Sequence, residues 1–139
     1  MTTLIRAEIS PKNKYHIDKH RHYELKHFCL QYPNWKKEYA AYSDIGPNLS
    51  SFEQLYSSNM KSDSVANWAV KRVYYKEKID LIEKVAKETD YILYKYILKA
   101  VTEGLSYTYL KTILRIPCSK DHYYDLYRRF FWLLSKERR

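Results

Sequence analysis

The sequence predicts an all-α protein of about five helices. The chain holds only two glycines and four prolines in 139 residues, and so few chain breakers favour long helices over a sheet with many turns. Apolar residues also recur every three or four positions over most of the chain, which is the spacing of one helix face. The length suits one domain, or one domain with an appended arm.

The amino-terminal part, residues 1–42, is predicted to be a basic helical arm. Ser10 and Pro11 form a plausible helix start, with serine as the N-cap and proline in the first turn. A break at Pro33 separates this helix from a shorter one that ends with the arm. Residues 43–61 are rich in Ser, Asn, Gly and Pro, and they are predicted to be a loop or linker.

Residues 62–139 are predicted to form the helical core. A long amphipathic helix is expected from about Asp63 to about Glu88, because its apolar residues keep a spacing of three to four. Thr89 or Asp90 can cap the next helix. Gly104 stands where that helix should end, since a helix C-terminus favours a residue that tolerates the left-handed conformation.

The end of this core, residues 106–136, has the layout of a helix-turn-helix. Ser106 can cap a short helix, and Pro117 both stops that helix and fixes the turn. Ser119 can cap a final helix from Lys120 to about Lys136. In this motif the second helix enters the major groove of duplex DNA by its amino-terminal turns, while the first braces against the DNA backbone.

The final helix is predicted to have an apolar side and a basic side. The spacing of its aromatic residues places one stripe against the core, and the short helix is expected to add a second apolar set. The predicted core residues are Tyr124, Tyr127, Phe131 and Leu134 on the final helix, and Leu105, Tyr109, Leu110, Ile113 and Ile116 before it.

Charged and polar side chains elsewhere on these helices are expected to contact DNA. Lysine and arginine would bind phosphates, or guanine edges through the guanidinium fork. His122 and Tyr123 would reach base edges or phosphates near the helix start. The predicted DNA-binding residues are Lys111, Arg115, Ser119, Lys120, His122, Tyr123, Arg128 and Arg129.

The formal net charge of +9 is concentrated at the two ends of the chain. Residues 1–42 hold eight Lys/Arg and four Asp/Glu, residues 43–105 hold nine of each, and residues 106–139 hold eight and three. This asymmetry suggests a polyanionic partner, most often nucleic acid. The alternative is a basic surface without a partner.

Two stretches resemble the phage late-gene transcriptional activators of the RinA/ArpU type. They are YILKAVTEGLSYTYLKTILRIPCSKDHYYDLYRRFFWLL and, more weakly, FCLQYPNWKKEY, so the resemblance spans about residues 28–42 and 62–136. Members of this family end in helices similar to region 4 of a sigma factor. The resemblance implies sequence-specific DNA binding near a promoter, in the host cytoplasm at the nucleoid, with host RNA polymerase as a further partner and no catalysis.

The sequence gives no positive sign of an enzyme, a cofactor, a metal site or a membrane span. Cys29 and Cys118 are too isolated to form a CxxC motif, and the histidines near the start lack an HExxH motif. No apolar run approaches the roughly 20 residues that cross a bilayer, and no secretion signal is evident. No catalytic, cofactor-binding or metal-binding residue is therefore assigned.

Other functions remain open at this point. A phage packaging-initiation subunit would use a similar motif but assemble into rings. A protein-binding inhibitor or adaptor would use the motif as a scaffold. A homodimer is plausible, since such motifs usually read paired half-sites. Tyr74-Tyr75 or Tyr123-Tyr124 could also stack on single-stranded bases.

Overall fold

The computed structural model describes residues 11–44 and 61–139, with side chains at 11–42 and 66–139. Within these ranges the chain is helical and has no strand, which confirms the predicted all-α class. Five helices of the described ranges have ten or more residues, and the one we label α5 has six. The helices are α1 (Lys19–Leu30), α2 (Tyr32–Asp44), α3 (Lys61–Thr89), α4 (Tyr94–Glu103), α5 (Tyr107–Thr112) and α6 (Lys120–Glu137).

The chain divides into two compact units, and α3 contributes residues to both. The first unit is Met1–Gln31 with Leu81–Arg139, and the second is Tyr32–Asp80. The predicted division into an arm, a linker and a core stays a prediction, because most of the linker lies outside the described residues. Among the helices that the structure describes, none has the length and apolar character needed to cross a membrane.

The core of the first unit is built around α6. This helix packs against α1 and α4, and its rings meet edge to face, with Phe131 centred 4.9 Å from Tyr127 and 5.0 Å from Phe130. Such contacts add to the free energy gained from burial. The predicted core stripe on α6 is confirmed, and it is wider than expected. The buried residues of α6 are Tyr123, Tyr124, Leu126, Tyr127, Phe130, Phe131 and Leu134.

An ordered turn precedes α4, and a glycine C-cap ends it. The Asp90 carboxylate accepts hydrogen bonds from the amides of Ile92 (2.9 Å) and Leu93 (2.8 Å), which orders the turn before the helix. Gly104 ends the helix with φ 69°, and the amides of Gly104 and Leu105 both donate to the Ala100 carbonyl. Gly104 is therefore the C-cap that the sequence predicts. The prediction that Thr89 or Asp90 caps this helix is wrong, because the N-cap position is Leu93 and no side chain caps it.

The first described helix begins later than the sequence predicts. Residues 11–18 form turns and irregular structure, and α1 starts at Lys19. The Asn13 side chain accepts a hydrogen bond from the Tyr15 amide at 2.8 Å, and the Asn13 carbonyl accepts one from the His16 amide at 3.0 Å. These local bonds compete with helix formation. The proposed N-cap, Ser10, lies outside the described residues.

Arg21 joins α1 to the C-terminus of α6. Its guanidinium donates to the carbonyls of Ser135 (3.0 Å) and Arg138 and lies 2.6 Å from the Glu24 carboxylate. The last carbonyls of a helix lack partners within the helix and carry partial negative charge, so a cation stabilises them. Arg21, one of the cations of the basic amino-terminal arm, therefore makes intramolecular contacts with the end of α6.

Candidate nucleic-acid interface

Two serine-capped helices follow each other at the end of the first unit. The Ser106 hydroxyl accepts a hydrogen bond from the Tyr109 amide at 3.2 Å and caps α5. The Ser119 hydroxyl accepts one from the His122 amide at 3.2 Å and caps α6. Both predicted caps are confirmed, so the start of each helix follows from its own sequence.

The turn between α5 and α6 is anchored at several points. The Tyr107 hydroxyl donates to the Cys118 carbonyl at 2.7 Å, and the Ile116 amide donates to the Leu110 carbonyl at 2.9 Å. The Ile116 side chain is buried, as predicted. Arg115 has φ 58°, and within the described ranges it is the only residue other than glycine with a positive φ. A left-handed residue with a Cβ costs about 1–2 kcal/mol, and these contacts hold it in place.

The packing of α5 differs in part from the prediction. Leu110 is fully buried, but Tyr109 is 42% exposed and Ile113 is 59% exposed. The prediction that Tyr109 and Ile113 pack into the core is wrong. The helix has only six residues, so its inward face is short, and Leu110 fills it. Leu105, at the preceding corner, is half-buried.

Exposed cations lie on α5, in the turn and at the start of α6. Lys111, Arg115 and Lys120 are exposed, as are Ser119 and His122. These five predicted residues thus lie between residues 111 and 122 of the chain, with their side chains open to solvent. The Ser119 hydroxyl also caps α6.

Two carboxylates interrupt the cationic character of α6. Asp121 and Asp125 are exposed on the first turns of the helix, close in sequence to Lys120 and His122. The positive charge of this surface therefore comes mainly from α5 and the turn. Neither carboxylate is among the residues predicted to face DNA. The two are four residues apart, so they lie on the same face of the helix.

Arg128 and Arg129 are half-buried and take part in intramolecular contacts. The Arg129 guanidinium lies 3.4 Å from the Tyr15 hydroxyl and 3.4 Å from the Glu88 carbonyl, near the C-terminus of α3. Arg128 lies 3.8 Å from the Asp125 carboxylate. Any contact of these arginines with DNA would replace existing interactions, so the exposed cations are the stronger candidates.

Tyr123 lies in the core. It is 1% exposed, and its ring centroid is 5.1 Å from that of Tyr124 and 5.7 Å from that of Tyr107. The expectation that Tyr123 faces a partner is wrong. Tyr123 shares a helix face with Tyr127 and Phe130, four and seven residues later, so neighbouring helices that cover those rings cover it as well. Burial, followed by the charges of Tyr124 and Cys118, raises its pKa above the ordinary value.

Replacing Tyr123 by phenylalanine is expected to raise the free energy of unfolding by about 1 kcal/mol. The buried Tyr123 hydroxyl has no hydrogen-bond partner among the described residues, and burial of an unpaired polar group is unfavourable. Urea unfolding measures the change. As a matched control, Tyr107→Phe removes a hydroxyl that does have a partner and should lower stability by about 1 kcal/mol. Equal destabilisation in both variants would contradict this assignment.

The histidine, cysteine and carboxylate side chains form no candidate metal site among the described residues. Within those ranges, no three His, Cys, Asp or Glu side chains come close enough together to hold a metal ion. Burial raises the pKa of the Cys29 thiol and, less strongly, that of Cys118. A raised pKa keeps a thiol protonated and therefore weakly nucleophilic.

Comparison with known proteins assigns no family. The chain matches no protein-family model, no curated protein and no solved structure.

Proposed function

We propose that this chain is a sequence-specific double-stranded DNA-binding transcriptional regulator, with α5, the turn and the start of α6 acting as a helix-turn-helix. One observation carries the proposal: two serine-capped helices joined by an anchored turn leave Lys111, Arg115 and Lys120 exposed. A short helix, a turn and a longer helix with exposed cations is the arrangement that such a motif needs.

In this proposal α6 enters the major groove by its amino-terminal turns. Ser119, Lys120 and His122 then lie nearest to the base edges, and the positive end of the helix dipole points toward the DNA. Lys111 and Arg115 bind phosphates on either side of the groove. The left-handed backbone of Arg115 costs free energy, and a phosphate contact by its side chain gives a reason for arginine at this position.

The carboxylates of α6 affect specificity in this proposal. Asp121 and Asp125 repel phosphates, and a carboxylate can accept a hydrogen bond from the cytosine amino group. Non-specific affinity should therefore be modest, because much of it comes from phosphate contacts. Correct bases would restore affinity by pairing with the carboxylates, which makes binding depend more strongly on the DNA sequence.

The phage-type role is a finer part of the proposal. It is supported by the resemblance of residues 106–134 and of Tyr32-Pro33 to the late-gene activators. That role adds host RNA polymerase as a second partner, the host cytoplasm as the location, and a homodimer reading two half-sites about one helical turn apart.

A protein-binding adaptor is the second candidate function. Tyr91 is 81% exposed and Ile92 is 84% exposed, in a turn that the Asp90 carboxylate orders. Exposed apolar residues that lie together often mark a protein interface. This candidate predicts that no duplex sequence is preferred.

Selection of bound fragments from random duplexes, followed by fluorescence anisotropy, tests the DNA-binding proposal. The triple variant Lys111→Ala, Arg115→Ala, Lys120→Ala should lower affinity for the selected duplex at least a hundredfold at low salt. The slope of log affinity against log salt should fall by about 0.9 for each phosphate that the variant no longer neutralises.

A matched triple variant controls for the change in charge. Lys19, Lys87 and Lys95 are exposed cations elsewhere in the first unit, and replacing all three by alanine removes the same charge. This variant should keep most of the affinity for the selected duplex. Equally weakened binding by the two triple variants, or failure of the selection to enrich any sequence, would contradict the proposal.

A further inference from the structure

Half-buried aromatic rings join α2 and α3 in the second unit. Tyr42 lies nearly parallel to Tyr75, with centroids 6.1 Å apart at 24°, and meets Trp68 edge to face at 6.4 Å. Tyr74 meets Tyr75 at 5.3 Å and 76°, and its side chain is 52% exposed. Tyr42, Trp68 and Tyr75 are only partly buried, unlike the core rings of α6.

Exposed cations surround these rings. The Lys71 ammonium lies 5.9 Å from the Tyr42 ring, and the Arg72 guanidinium lies 5.7 Å from both Tyr39 and Trp68. Both cations are exposed, and no ion pair joins either of them to a carboxylate in the part of the chain that the structure describes. Their charge is therefore available to an anionic partner.

Neighbouring acidic groups reduce this charge only in part. Asp80 forms an ion pair with Lys76 at 3.2 Å, so those two charges largely offset each other. Burial raises the pKa of the Tyr75 hydroxyl, and the nearby Glu38 carboxylate raises it further. Within residues 32–42 and 66–80, these two helices hold six lysine and arginine residues and three aspartate and glutamate residues, so their net charge is positive.

We propose that the second unit binds single-stranded nucleic acid through this ring–cation surface, defined by Tyr39, Tyr42, Trp68, Tyr74, Tyr75, Lys71 and Arg72. A single strand alternates phosphates with bases whose flat faces are free, and proteins hold such strands with cations interleaved among aromatic side chains. A duplex hides its base faces, so it could use only the cations. The surface therefore goes beyond the proposed duplex binding of the first unit.

The exposures decide which tyrosines take part. Tyr74 offers the most accessible ring, and Lys78 lies 4.6 Å from its centroid, so a stacked base would have a cation close by. Tyr123-Tyr124, the other tyrosine pair that the sequence offers for stacking, is buried and cannot stack on a base.

Fluorescence anisotropy with labelled dT and U strands of about 20 nucleotides tests this proposal, since such a strand covers one site or more. The unmodified full chain should bind, with affinity falling as salt rises. The double variant Lys71→Ala, Arg72→Ala should bind at least tenfold more weakly. Tyr74→Leu keeps an apolar side chain but removes the ring, and it should also bind about tenfold more weakly. The strand type that binds more tightly identifies DNA or RNA as the ligand.

Three controls separate this surface from the proposed duplex site. The double variant Lys87→Ala, Lys95→Ala removes equal charge from exposed lysines of the first unit and should bind the strands as the unmodified chain does. The triple variant at Lys111, Arg115 and Lys120 should keep strand binding even where duplex binding is abolished. Circular dichroism and urea unfolding establish that each variant remains folded.

Two results would overturn the proposal. In the first, the Lys71 and Arg72 changes leave the affinity for single strands unaltered, while the triple variant at Lys111, Arg115 and Lys120 abolishes it. The proposed duplex site would then account for all binding. In the second, dextran sulfate displaces the labelled strand as readily as unlabelled strand does at equal total charge. The aromatic rings would then contribute nothing to the affinity. Absence of duplex binding alone does not bear on this surface.

Discussion

Replacing Phe131 by alanine is expected to lower the free energy of unfolding by about 3–5 kcal/mol. The Phe131 side chain is 2% exposed, and its ring meets those of Tyr127, Phe130 and His22, the last at 4.7 Å and 70°. The change removes buried apolar surface and leaves a cavity that rigid neighbouring rings cannot fill. Urea unfolding followed by circular dichroism measures the effect.

Tyr91→Ala is the matched control for this prediction. It removes an aromatic ring of similar size from a side chain that is 81% exposed, and it should change stability by no more than about 0.5 kcal/mol. If Phe131→Ala costs no more than this control, α6 is not the centre of the core that the structure describes.

Replacing Arg21 by alanine is expected to lower the free energy of unfolding by about 2 kcal/mol. The guanidinium donates to two carbonyls at the C-terminus of α6 and to the Ser135 hydroxyl, and hydrogen bonds from charged groups contribute about 1.5–3 kcal/mol. Removing the side chain also leaves those carbonyls without their cap. Thermal and urea unfolding should both detect the destabilisation.

The shape of the Arg21 side chain matters as well as its charge. Arg21→Lys keeps the charge but not the planar fork that reaches several acceptors, so it should recover less than half of the stability that alanine removes. Lys19→Ala, an exposed cation on the same helix, should change stability by no more than about 0.5 kcal/mol. If Arg21→Lys were as stable as the unmodified chain, the planar shape of the guanidinium would not matter for this cap, and the prediction would be wrong.

The interaction of Arg21 with Glu24 also predicts how the free energy of unfolding changes with pH. The hydrogen bond and charge of Arg21 lower the pKa of Glu24 in the folded protein. A carboxylate with a lowered folded pKa contributes stability above its unfolded pKa and loses that contribution as the pH falls through the folded value. The Glu24 side chain is 55% exposed, so solvent screens the pair and the contribution is small.

The two proposed surfaces make opposite demands on a nucleic acid. The helix-turn-helix would read base edges in an intact major groove, whereas the ring–cation surface would need unpaired bases. They lie in different units of the chain. Variants of one should therefore leave binding to the other unaffected, which is why the experiments use separate substitutions and separate DNA or RNA probes.

The sequence by itself determined the fold class and most element ends. The long helix was predicted from about Asp63 to Glu88 and runs over Lys61–Thr89, and Ser106, Ser119 and Gly104 occupy the caps assigned to them. These features depend on contacts within a few residues along the chain, namely the helix period and side-chain hydrogen bonds to nearby amides. Local sequence therefore suffices to predict them.

Only the tertiary structure decided which side chains reach solvent. Tyr123 is buried, Tyr109 and Ile113 are exposed, and the charge of Arg21 is used to cap α6. A helix pattern gives the direction of a side chain from the axis, but burial depends on which sides the other helices cover. Those helices come from distant parts of the chain, so the local sequence predicted five exposed residues of the candidate interface but not the burial of Tyr123.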